Sequence, residues 1–307
     1  MPHWMLKAGL HRAIGTLPKR HRWNEWLQQH VTQSLDLTDA AFEGKLRHCR
    51  RHLDHLQANR PAGAFSAFDL GTGWFPVVPV GLYLCGAERV WTCDITPLLR
   101  TGRVRRMLER CVEYAADGRL RAYLPTARPD RVTTIQETLA LPPDTPPEGL
   151  LRRLGIDVMV GDASRVQLPP ASVDLIESTE VLEYVPPGTL GDLLRAFARW
   201  LRPDGRMSHL IDLQDEYSYF DRRLSPLNFL RYSDRTWRWV QSPFTPLNRI
   251  RIDEYRDLFE TAGFTVVAED NRRCPAPELD RVPLHERFRS QDPHDLLILQ
   301  SWIMATR

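Results

Sequence analysis

The stretch that decides the fold is "FDLGTGWFPVVPVGLYLCGAERVWTCD", residues 68–94, in which one apolar run ends on two glycines and a second ends on an aspartate. Glycine tolerates backbone conformations that side chains forbid, and it lets a ligand approach the backbone closely. Gly71 and Gly73 therefore predict a tight turn directly after a buried strand. This arrangement is typical of the first strand of a nucleotide-binding α/β fold.

The loop lacks two features of a phosphate site. A dinucleotide fingerprint has a third glycine at its sixth position, where "GTGWFP" has Pro76. Proline has no N–H, so the next helix loses a donor that a pyrophosphate would use. The Lys-Ser/Thr pair of a P-loop is also missing. The sequence therefore predicts a nucleoside ligand held by shape and backbone contacts.

Asp94 ends the second apolar run. A carboxylate at the C-terminal end of the second strand can accept hydrogen bonds from both ribose hydroxyls. The alternative is a helix N-cap, because "DITPLL" places a proline shortly after the aspartate. The two upstream glycines favour the ribose interpretation.

Short apolar runs alternate with helical patterns from residue 68 onward, which predicts a doubly wound α/β sheet. The helical pattern "TLGDLLRAFARWL" ends before Pro203, and "RIDEYRDLFETAG" ends at Gly263. We predict seven strands, mostly parallel with the last antiparallel, at residues 66–70, 89–93, 156–160, 173–177, 206–211, 264–269 and 296–304.

Three segments fall outside this alternation. Residues 1–64 have a helical pattern and no strand signal, so we expect an N-terminal helical cap on a domain spanning 65–307. Residues 118–153 indicate a helical insertion that contains the proline-rich "LPPDTPPEGL". Residues 212–250 are too long for an ordinary connection after the fifth strand, so we expect a lid over the site.

Composition and charge limit the partners. The 307 residues suffice for one large domain, and 41 basic against 39 acidic side chains leave no global basic field for a nucleic acid. No apolar run approaches the roughly 20 residues of a membrane-spanning helix, and the N-terminal segment lacks the apolar core of a secretory signal. We therefore expect a cytoplasmic protein with a small-molecule substrate and neither a nucleic-acid nor a membrane partner.

The cysteine pattern argues against disulfide bonds and against a metal site. The five cysteines form no CxxC pair, and none has a histidine at metal-ligand spacing. An odd number of scattered cysteines also does not suit a disulfide framework. We expect reduced thiols and no metal site involving Cys49, Cys85, Cys93, Cys111 or Cys274.

Four motifs together resemble the class I S-adenosylmethionine-dependent methyltransferase family. "FDLGTG" resembles its first motif, "VWTCD" the acidic end of its second strand, and "LRPDGRM" the turn into its fifth strand. "VGDASRVQLPPASVDLIESTEVLEYV" resembles its third- and fourth-strand motifs. The resemblance spans residues 65–212 and implies a Rossmann-like fold with S-adenosylmethionine as the cofactor.

The resemblance implies roles for individual residues near the first two strands. Asp69, Gly71 and Gly73 match the loop that binds the methionine part of the cofactor. Asp94 matches the carboxylate that binds the ribose. Trp74 follows the loop where the family often has small residues, so its ring either walls the cofactor and its cationic sulfonium or packs in the core.

Further roles follow along the third and fourth strands. Asp162 and Ala163 match the adenine-binding pair, although an aspartate in "GDAS" also suits a turn. Ser178 and its two neighbours match the end of the fourth strand, beneath the sulfonium. Many family members have a histidine where this chain has Tyr184, so a histidine-based role does not carry over.

An amine or hydroxyl acceptor must lose a proton, whereas positioning and exclusion of water supply much of the remaining acceleration. Alternation along a strand places His209 and Asp212 on opposite faces, so only half of the candidates can face one pocket. Asp212 is the first choice, and His209 suits interior packing better. The candidate bases are Tyr184, His209, Asp212, Asp215 and Tyr217.

Three functions remain open at this point. The first, which we predict, is methyl transfer to a small-molecule acceptor in a biosynthetic pathway. In the second, the amine of S-adenosylmethionine closes an azetidine-2-carboxylate ring and methylthioadenosine is released, as in relatives of this fold. The third is a nucleoside-binding protein without turnover, since a fold does not fix a function. The sequence does not predict the oligomeric state.

Overall fold

The computed structural model describes residues 37–58, 63–241 and 246–307. Most of the predicted N-terminal cap, residues 1–64, lies outside this part of the chain. The described portion of the cap is helix α1 (Asp39–Gln57), whose N-cap Thr38 accepts a hydrogen bond from the amide of Ala41. The division of the chain into cap, insertion and lid remains a prediction.

Seven strands form one sheet in the order β3-β2-β1-β4-β5-β7-β6. Strand β7 runs antiparallel to both of its neighbours, and the other pairings are parallel. The predicted fold class is therefore confirmed. The strand order reverses between β1 and β4, which is where doubly wound sheets bind ligands. The strands are β1 (Phe65–Leu70), β2 (Ala87–Asp94), β3 (Ile156–Val160), β4 (Val173–Thr179), β5 (Leu201–Asp212), β6 (Thr265–Arg273) and β7 (Ile298–Thr306).

Helices cover both faces of the sheet. Helix α7 ends at Trp200 and α9 at Thr261, close to the stops that the sequence predicts. Four short 3-10 turns occur at Ala163–Arg165, Leu182–Tyr184, Glu216–Tyr219 and Asn228–Arg231. The further helices are α2 (Val77–Leu84), α3 (Thr101–Ala116), α4 (Arg119–Tyr123), α5 (Pro129–Leu139), α6 (Pro147–Arg153), α7 (Pro187–Trp200), α8 (Asp234–Val240), α9 (Ile252–Thr261), α10 (Pro277–Asp280), α11 (Glu286–Arg289) and α12 (Pro293–Leu296).

The side chains of the central strands divide between two apolar cores. In β1, Phe65 and Ala67 pack with α1, α2 and α3, whereas Phe68 and Leu70 pack with α7 and α9. Successive side chains of a strand point to opposite faces, so each central strand contributes to both cores. Burial on both faces explains why these strands are almost continuous apolar runs.

One row of polar side chains interrupts the first core. The strand register places Asp69 beside Thr92 and Glu177, and it places Glu177 beside Ser208. Thr92 donates a hydrogen bond to the Asp69 carboxylate. Burial raises the pKa of the Glu177 carboxyl well above its usual range, and the charge of Asp69 adds to the shift. Burial and the neighbouring carboxylate thus both favour the neutral form of Glu177.

His52 of α1 closes this polar row. Its imidazole is fully buried, with Nδ1 at 2.7 Å from Ser208 Oγ and Nε2 at 3.1 Å from Thr179 Oγ1. The same Nε2 lies 3.2 Å from Glu177 Oε2, and the ring centroid is 5.0 Å from that of Trp302. Buried polar contacts thus fix α1 over the sheet in addition to its apolar packing.

We expect His52→Ala to lower the free energy of unfolding by about 2 to 4 kcal/mol, because it opens a cavity and leaves three buried polar groups without this partner. Urea unfolding at pH 7 measures the change. Arg50→Ala is the control, since Arg50 pairs with Asp54 on the exposed side of α1 and its loss should cost less than about 0.5 kcal/mol. Equal small losses in both variants would contradict this docking of α1.

A second prediction concerns pH. Burial lowers the pKa of His48 and of His55 from 6.5 to about 4. Between these values the unfolded chain binds more protons than the folded one, so the unfolding free energy contributed by both groups falls as pH falls. Wild type should therefore lose stability relative to a His48→Gln/His55→Gln double variant between pH 6.5 and 4. Urea unfolding of both proteins at several pH values measures this difference, and parallel curves would refute it.

Candidate functional site

The turn after β1 requires glycine at one position in particular. Gly71 has a φ of 99° and Gly73 a φ of 64°, in the left-handed region that favours glycine. The amide of Gly71 donates to the carbonyl of Cys93 at 2.8 Å. A Cβ atom added to Gly71 would overlap the side chain of Val181, which follows β4. The loop is thus a close-fitting cradle that only an unsubstituted backbone can form.

Asp94 links the end of β2 to this loop. Its Oδ2 accepts a hydrogen bond from the amide of Gly73 at 2.9 Å, and its Oδ1 accepts one from the amide of Thr96 at 3.0 Å. Helix α3 begins only at Thr101 and has Arg100 as its N-cap, so Asp94 does not cap a helix. Each carboxylate oxygen has a further lone pair, which leaves room for two hydroxyl donors.

A small cavity opens between the glycine loop and the ends of β2 and β3. It is lined by Gly73, Asp94, Thr96–Leu99, Glu148 and Val158–Val160. Sequence reasoning missed Thr96–Leu99, although its position directly after the carboxylate could have indicated it. Glu148 comes from α6 in the predicted insertion, and nothing in the sequence connects it to this cavity.

The carboxylate of Asp162 performs the turn role that the sequence left open. Its Oδ1 accepts hydrogen bonds from the amide of Ser164 at 3.0 Å and from the Ser164 hydroxyl at 2.7 Å. It thereby caps the short turn that begins at the buried Ala163. Its Oδ2 lies 3.5 Å from Arg165 Nε, on a side chain that is 86% exposed. One oxygen of Asp162 therefore remains open to a ligand.

Three predicted cofactor residues have protein partners. Arg103 lies over the ring of Trp74, with its guanidinium carbon 4.8 Å from the ring centroid, so one face of that ring is covered. The Ser178 hydroxyl is buried and lies 2.7 Å from Nδ1 of His209 within the second core. Asp69 lies in the buried polar row. The Ser178 hydroxyl is therefore already engaged within the protein.

Two of the predicted bases, Asp212 and Tyr217, lie at the end of β5 and in the turn that follows it. Asp212 Oδ2 accepts a hydrogen bond from the Tyr219 hydroxyl at 2.8 Å, and its Oδ1 accepts one from the amide of Gln214 at 3.2 Å. Burial raises the pKa of Asp212. The hydroxyl of Tyr217 donates to the carbonyl of Val240 at 2.7 Å, and its side chain is almost fully buried. Tyr217 thus packs within the segment that follows β5.

Sequence reasoning missed three further carboxylates beside Asp212. Glu180, Glu183 and Glu216 join it at the ends of β4 and β5, and we call these four residues the acidic cluster. Burial raises the pKa of Glu183 well above its usual range, and the charges of the other three members contribute to the shift. The hydroxyl of Tyr184 donates to Glu216 Oε1 at 2.5 Å. The string "TEVLEY" after the fourth strand could have indicated two of them, whereas Glu216 comes from the predicted lid.

Four further findings concern the described residues as a whole. Within residues 37–58, 63–241 and 246–307, no three His, Cys, Asp or Glu side chains are grouped so that they could hold a metal ion. None of the helices described there has the length and apolar character that crossing a bilayer requires. All five cysteines are buried and free. A broader hollow of about 650 Å³ between Arg231 and Arg289 contains none of the predicted site residues.

Two solved structures are similar to this chain in fold. An S-adenosylmethionine-dependent methyltransferase from Mesorhizobium loti is 15% identical, with 82% of this chain and 95% of that chain covered and a TM-score of 0.43. Geranyl diphosphate C-methyltransferase from Streptomyces coelicolor A3(2), solved with Mg2+, geranyl diphosphate and S-adenosyl-L-homocysteine, is 12% identical, with 85% and 78% covered and a TM-score of 0.47. No protein of curated function matches the sequence.

A family model described as a methyltransferase domain matches residues 90–269. The match begins within β2 and extends into β6, so it includes Asp94, both strand ends of the acidic cluster and the segment between β5 and α9. It spans more than half of the chain. The chain therefore belongs to the methyltransferase domain family, and its cofactor is S-adenosylmethionine, as the sequence motifs predict.

Proposed function

We propose that the protein transfers the methyl group of S-adenosylmethionine to a small-molecule acceptor. The observation that carries the proposal is the Asp94 carboxylate, held 2.9 Å from the amide of Gly73 at the mouth of a cavity. A carboxylate next to a close-fitting glycine turn suits a ribose and the backbone of a nucleoside ligand. The acidic cluster lies at the neighbouring strand ends, where an acceptor would meet the reactive end of that ligand.

The cofactor would be bound by the residues around this cavity. Gly71 and Gly73 allow close approach of the backbone, and Asp94 accepts from the ribose hydroxyls. Two large apolar side chains at the ends of β2 and β3, Ile95 and Val160, are 73% and 54% exposed. Exposed apolar surface beside the Asp94 carboxylate suits the flat face of an adenine. The open oxygen of Asp162 suits the adenine amino group.

The chain supplies a cover for the other end of the site. When bound, the cofactor supplies an electrophilic methyl group on a sulfonium. The protein's contribution is to position an acceptor in line and to exclude water. Tyr217, Phe229 and Trp237 pack into a third apolar core, which joins the described part of 212–250 to residues between 274 and 299. Our proposal therefore keeps Tyr217 as a packing residue and Asp212 and Tyr184 as residues facing the acceptor.

We expect Asp94→Ala to weaken binding of S-adenosylmethionine about 10- to 150-fold, the effect of losing about 1.5 to 3 kcal/mol of hydrogen bonds to a charged group. Isothermal titration calorimetry measures the dissociation constant. Asp157→Ala is the matched control, because Asp157 pairs with Arg89 on the exposed part of β3. Unchanged affinity in a folded Asp94→Ala protein would remove the ribose role.

Product analysis tests the reaction itself. We expect S-adenosylhomocysteine to form when the purified chain is incubated with S-adenosylmethionine and a panel of small amines and alcohols, and none to form without an acceptor. Mass spectrometry identifies the released nucleoside. Methylthioadenosine formed without an acceptor would instead support ring closure. Binding without turnover across the panel would support a nucleoside-binding protein.

A further inference from the structure

One buried carboxylate in the acidic cluster has no partner. The side chain of Glu183 is 2% exposed, and neither of its carboxylate oxygens has a hydrogen-bond partner on another described residue. A backbone hydrogen bond within Glu183 itself opposes part of the rise in its pKa. Its backbone is firmly held, since the amide of Asn248 donates to the Glu183 carbonyl at 2.8 Å. The side-chain amide of Asn248 also donates to the carbonyls of Leu182 and Val185. A loose turn therefore does not explain the unpaired carboxylate.

The charges around Glu183 do not compensate it. The groups whose charges act on it are the other three members of the acidic cluster. Lys45 and Arg272 act on Glu180, at the rim of the cluster, and not on Glu183. Removing a carboxylate from water without a cation or a hydrogen bond is unfavourable. Burial therefore favours the neutral acid in the empty site, and a bound cation would favour the carboxylate.

Two arginines, Arg249 and Arg251, line a cavity beside Glu183, but their guanidinium groups bind other residues. The guanidinium of Arg249 donates to the carbonyls of Phe229 and Tyr232 and pairs with Asp234. The guanidinium of Arg251 donates to three backbone carbonyls, those of Leu213, Leu296 and Ile298. Both guanidinium groups thus direct their terminal nitrogens to groups other than Glu183, and of their buried nitrogens only Nε of Arg251 has no partner among the described residues.

The cavity beside Glu183 fits a small polar group. It has a volume of about 10 Å³ and is also lined by Asp212, Gln214 and Phe229. This is close to the smallest space that holds one water molecule, and an ammonium group is of similar size. Tyr219, which is bonded to Asp212, is 57% exposed, so its ring offers an aromatic face to a cation that approaches the cluster.

Backbone strain gives an independent sign of function at this edge. Glu180 has a φ of 55°, although it is not glycine. Its amide donates to the carbonyl of Leu210 at 2.8 Å, which holds the strained residue across the ends of β4 and β5. Conformations of this kind concentrate at ligand-binding and catalytic sites. The strained backbone of Glu180 places its carboxylate at the mouth of the acidic cluster.

We propose that the methyl acceptor is an amine, that its ammonium group binds Glu183 within the acidic cluster, and that Glu183 takes the proton that the amine must lose. This inference rests on the proposed methyltransferase function. Asp212 is less suited to this role, because both of its oxygens already accept hydrogen bonds. An alcohol would bring no positive charge to the buried carboxylates of the cluster.

The step balances with these groups alone. An N–H bond of the ammonium breaks and its proton moves to the Glu183 carboxylate, which leaves a lone pair on nitrogen. That pair forms the new N–C bond to the methyl group. The C–S bond breaks with its electrons remaining on sulfur, which becomes a neutral thioether. The methylated ammonium product then separates from a neutral carboxylic acid.

Binding to the cofactor-free full chain is the first test. We expect methylammonium chloride to raise the thermal stability of the wild type, and sodium chloride at the same ionic strength not to do so. Glu183→Gln keeps the size of the side chain and should weaken methylammonium binding about 10- to 100-fold. Glu260→Gln, on the exposed side of α9, should bind as the wild type does. Equal stabilisation by sodium or magnesium, or equal binding in both variants, would overturn the proposal.

Proton release gives a readout that does not depend on activity. Burial raises the pKa of Glu183, which favours the protonated acid in the empty site, and a bound cation should favour loss of that proton. Calorimetric titration of methylammonium at pH 7 in two buffers of different ionisation enthalpy should detect this release in the wild type. The release should be absent in Glu183→Gln. Identical proton release in both proteins would overturn the assignment to Glu183.

Turnover separates this inference from the proposed function. With S-adenosylmethionine present, benzylamine should be methylated and benzyl alcohol should not, and Glu183→Gln should lower kcat/KM for the amine without changing cofactor affinity. Methylation of the alcohol alone would retain the methyltransferase function and overturn the amine inference. Methylammonium binding that depends on Glu183 but is accompanied by no methylation of any acceptor would overturn the proposed function. If Glu183→Gln lost affinity for S-adenosylmethionine as strongly as for methylammonium, the pocket would belong to the cofactor's own ammonium group. That result would overturn the inference.

Discussion

The site depends on how closely the turn after β1 packs against its neighbours. Strands β1 and β2 run parallel with Leu70 opposite Cys93, so the glycine turn and Asp94 emerge at the same edge, where a hydrogen bond joins them. On its other side, Gly71 leaves no room for a Cβ beside Val181. Val181 begins the segment that carries Glu183. The same close contact therefore sets the glycine turn against the chain between Glu180 and Glu183 of the acidic cluster.

The fold could be predicted because the signals for its strands and helix ends lie in short continuous stretches of the sequence. Strands buried on both faces are short apolar runs, and helix ends carry glycine and proline signals, as at Gly263. The polar row could not be predicted, because it depends on which strands pair and in which register. Nothing near Glu177 in the sequence indicates that His52, 125 positions earlier and on a separate helix, lies 3.2 Å away. Contacts of this kind exist only after the sheet has formed.

The same distinction separates the parts of the candidate site. Asp94 could be located from the sequence because it directly follows a strand, and the edge of a parallel sheet brings such residues together. The partners of Trp74 and Ser178 could not, since Arg103 comes from α3 and His209 from β5. A motif indicates where the backbone of a residue lies. It does not indicate whether another side chain already occupies its functional group.

The two most deeply buried glutamates beside the sheet show how a structural carboxyl differs from a functional one. Glu177 lies beside the Asp69 carboxyl and 3.2 Å from Nε2 of His52. Glu183 is equally buried, but the charges that act on it are all negative. A folded chain retains an uncompensated buried acid only where something else offsets its cost. The charge of Lys45 acts on Glu177 and lowers its pKa, whereas a cationic substrate would supply the positive charge for Glu183.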